Sequence, residues 1–169
     1  MKPGSKPKSN AKPKNVESPA VQEARFIDKF DPKIAKLARG ALTALRRQFP
    51  TAVELVYDNY NALAIGWSPN ERASEVIVSL ALFARGVTLY FTHGKKLPDP
   101  EKLLQGNGNQ GRFLRVQDVK MLGKPSTKAF FRSATELSKT PLPKTGRGYI
   151  VIKSISAKQR PRRPSQVAE

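Results

Sequence analysis

The hexapeptide Gly106-Asn107-Gly108-Asn109-Gln110-Gly111 meets the spacing of a dinucleotide-binding fingerprint. That fingerprint works where it joins a strand to the helix it opens, because the helix N-terminus holds the pyrophosphate. Here a short helical turn is expected before it and a strand after it, so the order is reversed and the glycines are read as serving a tight loop. The amides of such a loop, with Arg112 beside it and Lys95-Lys96 at the far end of the connection, make a candidate anion-binding concavity. The candidate ligand-binding set is Lys95, Lys96, Gly106, Gly108, Gly111 and Arg112.

Other chemistry-bearing residues are sparse. The chain has no cysteine, which excludes a disulfide framework, a thiol nucleophile and a cysteine-ligated zinc or iron–sulfur site. His93 is its only histidine, with no second imidazole to share a metal and no evident serine to activate. Paired-carboxylate catalysis needs two acids brought together. Glu54, Asp58, Glu71 and Glu75 lie near strand ends, and nothing in their spacing forces a pair. No set of nucleophile, base and orienting group can be assembled, so binding is expected rather than catalysis. Tyr57, Tyr60, Trp67, Tyr90 and Phe91 fall on or near strands, where aromatics more often fill a core than stack bases on an open sheet.

The formal charge of +18 points to partners carrying negative charge. Residues 1–20 mix Lys, Pro, Ser and Asn with little to bury and are expected to be a disordered basic tail. Lys2, Lys6, Lys8, Lys12 and Lys14 there, and Lys158, Arg160, Arg162 and Arg163 in a second basic tail at 157–169, are candidate contacts to the phosphates of nucleic acid or another polyanion. The folded domain is expected over 21–156. The start lacks the apolar run of a secretory signal, and the most apolar stretch, Val76 to Ala84, is about half the length of a membrane span. A cytoplasmic protein without a membrane partner is expected.

These residues must be positioned by the elements between the tails. Asp31-Pro32 is an N-cap followed by a proline at the first helical position. Ile34, Leu37, Ala38, Ala41, Leu42 and Leu45 recur at helical spacing until Pro50, with Arg46 and Arg47 off that stripe. Strands are expected at 53–57, 62–67, 75–82, 87–92 and 112–119, with Asp58-Asn59 and Phe83-Ala84-Arg85-Gly86 as turns. A second helix fits 125–139, and Tyr149 to Ile155 is β-prone, a candidate for a further edge strand before the basic tail. Strands so closely spaced pair antiparallel. The expected fold is α+β, a two-layer sandwich with an antiparallel sheet of about five strands flanked on one face by N- and C-terminal helices.

The order Phe49-Pro50, Glu54-Leu55-Val56-Tyr57, the strand run, then Leu97-Pro98-Asp99-Pro100, Leu103-Leu104-Gln105-Gly106-Asn107-Gly108, Arg112 and Val116 resembles the YdhG-like family, a bacterial family of unknown function, across roughly 30–137. The resemblance implies a frataxin-like fold and, from one branch of the family, iron handling as an intracellular chaperone. Iron calls for clustered carboxylates, whereas the helix that begins at Pro32 carries five basic residues, so no metal residue is assigned. The expected function is non-enzymatic small-ligand or metal handling; the alternative is a basic module that binds nucleic acid or another polyanion through its tails and surface.

Overall fold

The structure, a computed structural model, describes residues 15–165. The tail residues Lys2, Lys6, Lys8, Lys12 and Lys14 lie outside the described residues. The first helix, α1 (Pro19–Asp28), is one that sequence reasoning passed over. It opens two residues inside the segment assigned to the N-terminal tail. The Ser18 hydroxyl accepts from the Val21 amide, Pro19 takes the first turn, and Phe26, Ile27 and Glu23 turn inward. α2 (Pro32–Gln48) starts where expected, with the Asp31 carboxylate accepting from the Lys33 amide. It buries Ala35, Ala38, Ala41, Leu42 and Leu45, with Ile34 and Leu37 partly buried beside them.

Six strands follow: β1 (Val53–Asp58), β2 (Leu63–Ser68), β3 (Val78–Phe83), β4 (Gly86–Phe91), β5 (Arg112–Val116) and, after α3 (Pro125–Glu136), β6 (Ile150–Ile155). The sheet order is β5-β4-β3-β2-β1-β6. The first five form an antiparallel meander, while β6 lies parallel to β1 at the edge. The expected five strands and two helices are thus six and three, in a mixed α+β fold with an open, mostly antiparallel sheet. Parallel pairing at β6 is possible because the long connection through α3 carries the chain back to the starting end of β1.

Alternation along the strands sorts the side chains. Val56, Ile65, Leu80, Leu89 and Leu114 form one cross-strand row on the helix side, flanked by a row with Trp67, Val78 and Phe91 and a row with Leu63, Leu82 and Val87. They join Phe30, Leu45, Phe130 and Phe131 in one core. Trp67 and Phe91 therefore belong to the core, as the commoner reading of strand aromatics has it. Tyr57 and Tyr90 alternate to the outer face, half-buried, and Tyr60 is exposed in the β1–β2 turn. Among the described residues no helix is long and apolar enough to cross a membrane.

Two acids share the helix side of β1 with Val56. Alternation places Glu54 and Asp58 there as well, and both are buried. Each sits where a cation from elsewhere in the chain must meet it.

Candidate functional site

In the glycine loop the Arg112 guanidinium is turned onto the loop's own carbonyls. Lys95 and Lys96 lie exposed in a single 3-10 turn, Gly94–Lys96, and the Lys95 amide donates to the Gln110 carbonyl (2.9 Å). The Arg112 guanidinium donates to the carbonyls of Gly108 (2.7 Å) and Gly111 (2.6 Å). Gly106, Gly108, Gly111 and Arg112 come together, but carbonyl oxygens face the arginine. Next to it, Asp99 accepts from the Leu103 and Leu104 amides (2.9 Å each), which fixes the proline-framed turn. His93, half-buried, lines a hollow of about 250 Å³ with Glu75 and Lys139.

The C-terminal basic segment, expected to be a tail, is docked along the described part of its length. Ser156 N–H donates to the Asp58 carbonyl (2.8 Å) and Arg160 N–H to the Tyr60 carbonyl (2.9 Å). Arg162 donates to the Asp58 carboxylate (2.8 Å) and to the Asn59 carbonyl (2.5 Å), and it lies over the Phe30 ring. Arg160 lies over Tyr60, Arg163 reaches the Lys29 carbonyl (3.3 Å), and Lys158 is exposed. Arg162 is only 6% exposed, which corrects its assignment as a polyanion contact. A charge buried against a buried carboxylate is not free for phosphate.

At the other end of β1 the carboxylates converge that the spacing did not pair. Arg46, near the end of α2, donates through Nε to Glu54 Oε1 (2.6 Å) and through one Nη to Glu54 Oε2 (2.8 Å). The same Nη reaches Glu23 Oε2 on α1 (2.7 Å). The second Glu23 oxygen, Oε1, is buried with no hydrogen-bond partner, and the residue is 4% exposed. Two acids share one guanidinium. Burial, and next the charge of Glu54, push the Glu23 carboxyl up to about 7, against the pull of Arg46. Arg46 is raised above its ordinary value, first by its hydrogen bond to Glu54.

Two cavities meet around Arg46. One of about 560 Å³ lies between the end of α2 and the chain entering β6; Arg47, Pro50, Glu54, Arg147, Gly148 and Tyr149 are among its lining residues. The second, about 300 Å³, is lined by Glu23, Ala24, Ile27 and Leu42. Thr43, Arg46 and Ile150 border both. Gly148 is required in the wall: a Cβ there would collide with the Ala52 carbonyl oxygen, and its amide donates to Pro50 O (2.9 Å). Arg47 and Arg147 are exposed at the rim and meet no carboxylate among the described residues.

Sequence reasoning missed this site because no helix was expected over Glu23 and Arg46 was placed off the apolar stripe of α2. One usable signal was present: Arg46 lies four positions after Leu42, so it continues the buried edge of the stripe. Among the described residues no three His, Cys, Asp or Glu side chains lie close enough to hold a metal ion. Compared with protein-family models, curated proteins and solved structures, the chain matches none.

Proposed function

We propose that this chain is a non-enzymatic binding domain for a small zwitterionic ligand seated over Arg46. The ligand places an N–H donor on Glu23 and an acidic group near Arg47 and Arg147. The observation that carries this reading is the Glu23 oxygen, buried, without a partner, and beside a cavity. Such an atom costs about 1–3 kcal/mol unless something donates to it. The larger cavity falls within the range of small-molecule sites. Binding is favoured over catalysis because both carboxylates are tied to the same arginine and the nearby Thr43 hydroxyl donates to the Arg39 carbonyl, leaving no activated nucleophile.

Calorimetric titration with glycine, γ-aminobutyrate and glutamate, set against acetate and inorganic phosphate as acid-only probes and ethylamine as an amine-only probe, tests the reading. A zwitterion should bind at least about tenfold more tightly than either half. Glu23→Gln should remove the advantage of the amine, and Arg47→Ala with Arg147→Ala that of the acid. Because the ligand's donor replaces a proton on Glu23, affinity should rise as pH increases through about 7. Phosphate binding as tightly as any zwitterion and unmoved by Glu23→Gln would defeat the proposal, and an Arg112→Ala protein losing that phosphate would move the site to the glycine loop.

The YdhG-like resemblance, its frataxin-like arrangement and iron handling are separate proposals. The helices on one face of a largely antiparallel sheet support the arrangement, and the parallel β6 departs from a simple meander. Anaerobic ferrous titration tests iron directly: a micromolar site lost in Glu23→Gln would assign the metal to this same pair.

A further inference from the structure

We infer that the open half of the outer sheet face is a platform for single-stranded nucleic acid. The side of the sheet away from the helices is unequal along its width. Around β1 and β2 it is closed: Val76 packs against Gly66 where a Cβ would be 3.0 Å away, and Leu55 and Val53 are buried. Tyr149 and Lys153 of the β6 edge tie the Glu71 segment down there through bonds of 3.0 and 3.1 Å. Across β3, β4 and β5 no segment is tied down in the same way: Ala81 and Thr88 form a buried floor, Ser79, Phe83, Tyr90 and Phe113 are part-exposed, and Arg115 is exposed.

The register assembles that half from few residues. One row runs Ser79, Tyr90, Phe113; the next runs Ala81, Thr88, Arg115; and Phe83 pairs with Gly86 beyond them. Tyr90 and Phe113 stand side by side with ring centroids 5.5 Å apart, both partly exposed. With Phe83, Arg85, Gly86, Thr88 and Arg115 they line a shallow hollow of about 280 Å³. Its floor is small, its walls are aromatic, and its charged groups are two exposed arginines and no carboxylate.

That composition selects its occupant. Ring faces on an open sheet stack bases, and guanidinium groups stack on bases or meet phosphates. A duplex hides its base faces, so stacking rewards only a strand whose bases can turn outward. The remainder of the molecule adds the long-range attraction: residues 15–165 carry 26 Lys and Arg against 12 Asp and Glu. Most of those acids are already engaged by caps or ion pairs such as Arg72–Glu75 and Lys29–Asp58. The expected polyanion partner thereby acquires a site on the domain itself, separate from the pocket over Arg46.

Fluorescence anisotropy of the full chain with labelled oligo(U) and oligo(dT) of about 12 nucleotides, and with a duplex of equal length, tests the inference. Single strands should bind more tightly than the duplex. Tyr90→Leu and Phe113→Leu, which keep an apolar side chain but remove the ring, should each weaken single-strand binding about 5- to 100-fold. Arg85→Ala with Arg115→Ala, both exposed and in no ion pair among the described residues, should flatten the salt dependence by about 0.7 for each phosphate that is no longer neutralised. All variants keep the N-terminal lysines, so any contribution from them is a constant background. Duplex binding equal to single-strand binding, or an arginine-pair variant that binds like the wild type, would overturn the platform.

Discussion

Glu54 and Asp58 lie four residues apart on one strand, face the same way and are both buried, yet the chain treats them oppositely. Asp58 is one acid met by two cations: Lys29 donates to Oδ2 (2.8 Å) and Arg162 to Oδ1 (2.8 Å). Glu54 shares its one cation with a second acid, Glu23, whose spare oxygen has no partner. The first arrangement is closed under a strap of the chain's own residues. The second is short of one proton or one donor and opens on a cavity. Burial alone does not mark a site, and neither does an uneven count of charge or an unpartnered atom. The Asp58 end has both, with Arg162 Nε buried and unpartnered. The Glu23 end differs in that its spare acceptor lines a cavity.

The largest break is expected at the closed end. Asp58→Ala leaves Arg162 buried without its carboxylate, which should cost about 3–5 kcal/mol in urea denaturation. A cost below about 1 kcal/mol would show the strap to be ornamental. Acid offers a second view of the same pair. Burial alone would raise the Asp58 carboxyl, but hydrogen bonds from Lys29, Gln159 and Arg162 outweigh it and hold it below the usual range. Its stabilisation is therefore complete above the unfolded-state value near pH 4 and lost as pH falls through the lower folded one. In Asp58→Asn that acid-side decline should be shallower.

Glu23 should do the reverse. Its folded value near 7 exceeds the unfolded value, so the folded state holds a proton that the unfolded chain releases between about pH 4.5 and 7. Stability should fall across that window, and Glu23→Gln should flatten the decline, gaining about 1–3 kcal/mol above pH 7. A variant less stable than wild type at every pH would mean that the site is finished in the same way as Asp58. Gly148→Ala sharpens the contrast from the wall side. Its methyl meets the Ala52 carbonyl, so a loss of about 1–3 kcal/mol should come with loss of any ligand, while the Asp58 end keeps its acid profile.

The local parts of this contrast were legible in the sequence, and the long-range parts were not. The Asp31-Pro32 cap, the stop before Pro50 and the alternation from Val53 to Val116 are signals contained within a few residues, and each element formed there. α1 was hidden because Ser18-Pro19 follows a lysine- and proline-rich run and only Phe26 and Ile27 are buried apolar residues in its ten. The parallel seat of β6 depends on where α3 returns the chain, which periodicity does not encode. Arg162 looked like a tail charge because its partner lies 104 residues earlier, and composition cannot tell an arm that wanders from one that docks. Glu23 and Glu54 were each readable as acids; only the packing of α1 against α2 shows that they share Arg46.

The smallest effect should come from an ion pair on the same two helices. Arg39 on α2 meets Asp28 on α1, as Arg46 meets Glu23, but both partners are substantially exposed, at 46% and 66% of their side chains. Water and salt screen such a pair, and ordering two mobile side chains offsets much of the attraction, so Arg39→Ala should change stability by no more than about 0.5 kcal/mol. Measured beside Asp58→Ala in one denaturation series, it separates charge pairing from burial as the source of the larger loss. If Arg39→Ala costs as much as Asp58→Ala, the helix pair α1–α2 is held by its ion pairs wherever they lie, and the difference between the closed and open ends of β1 no longer identifies the pocket.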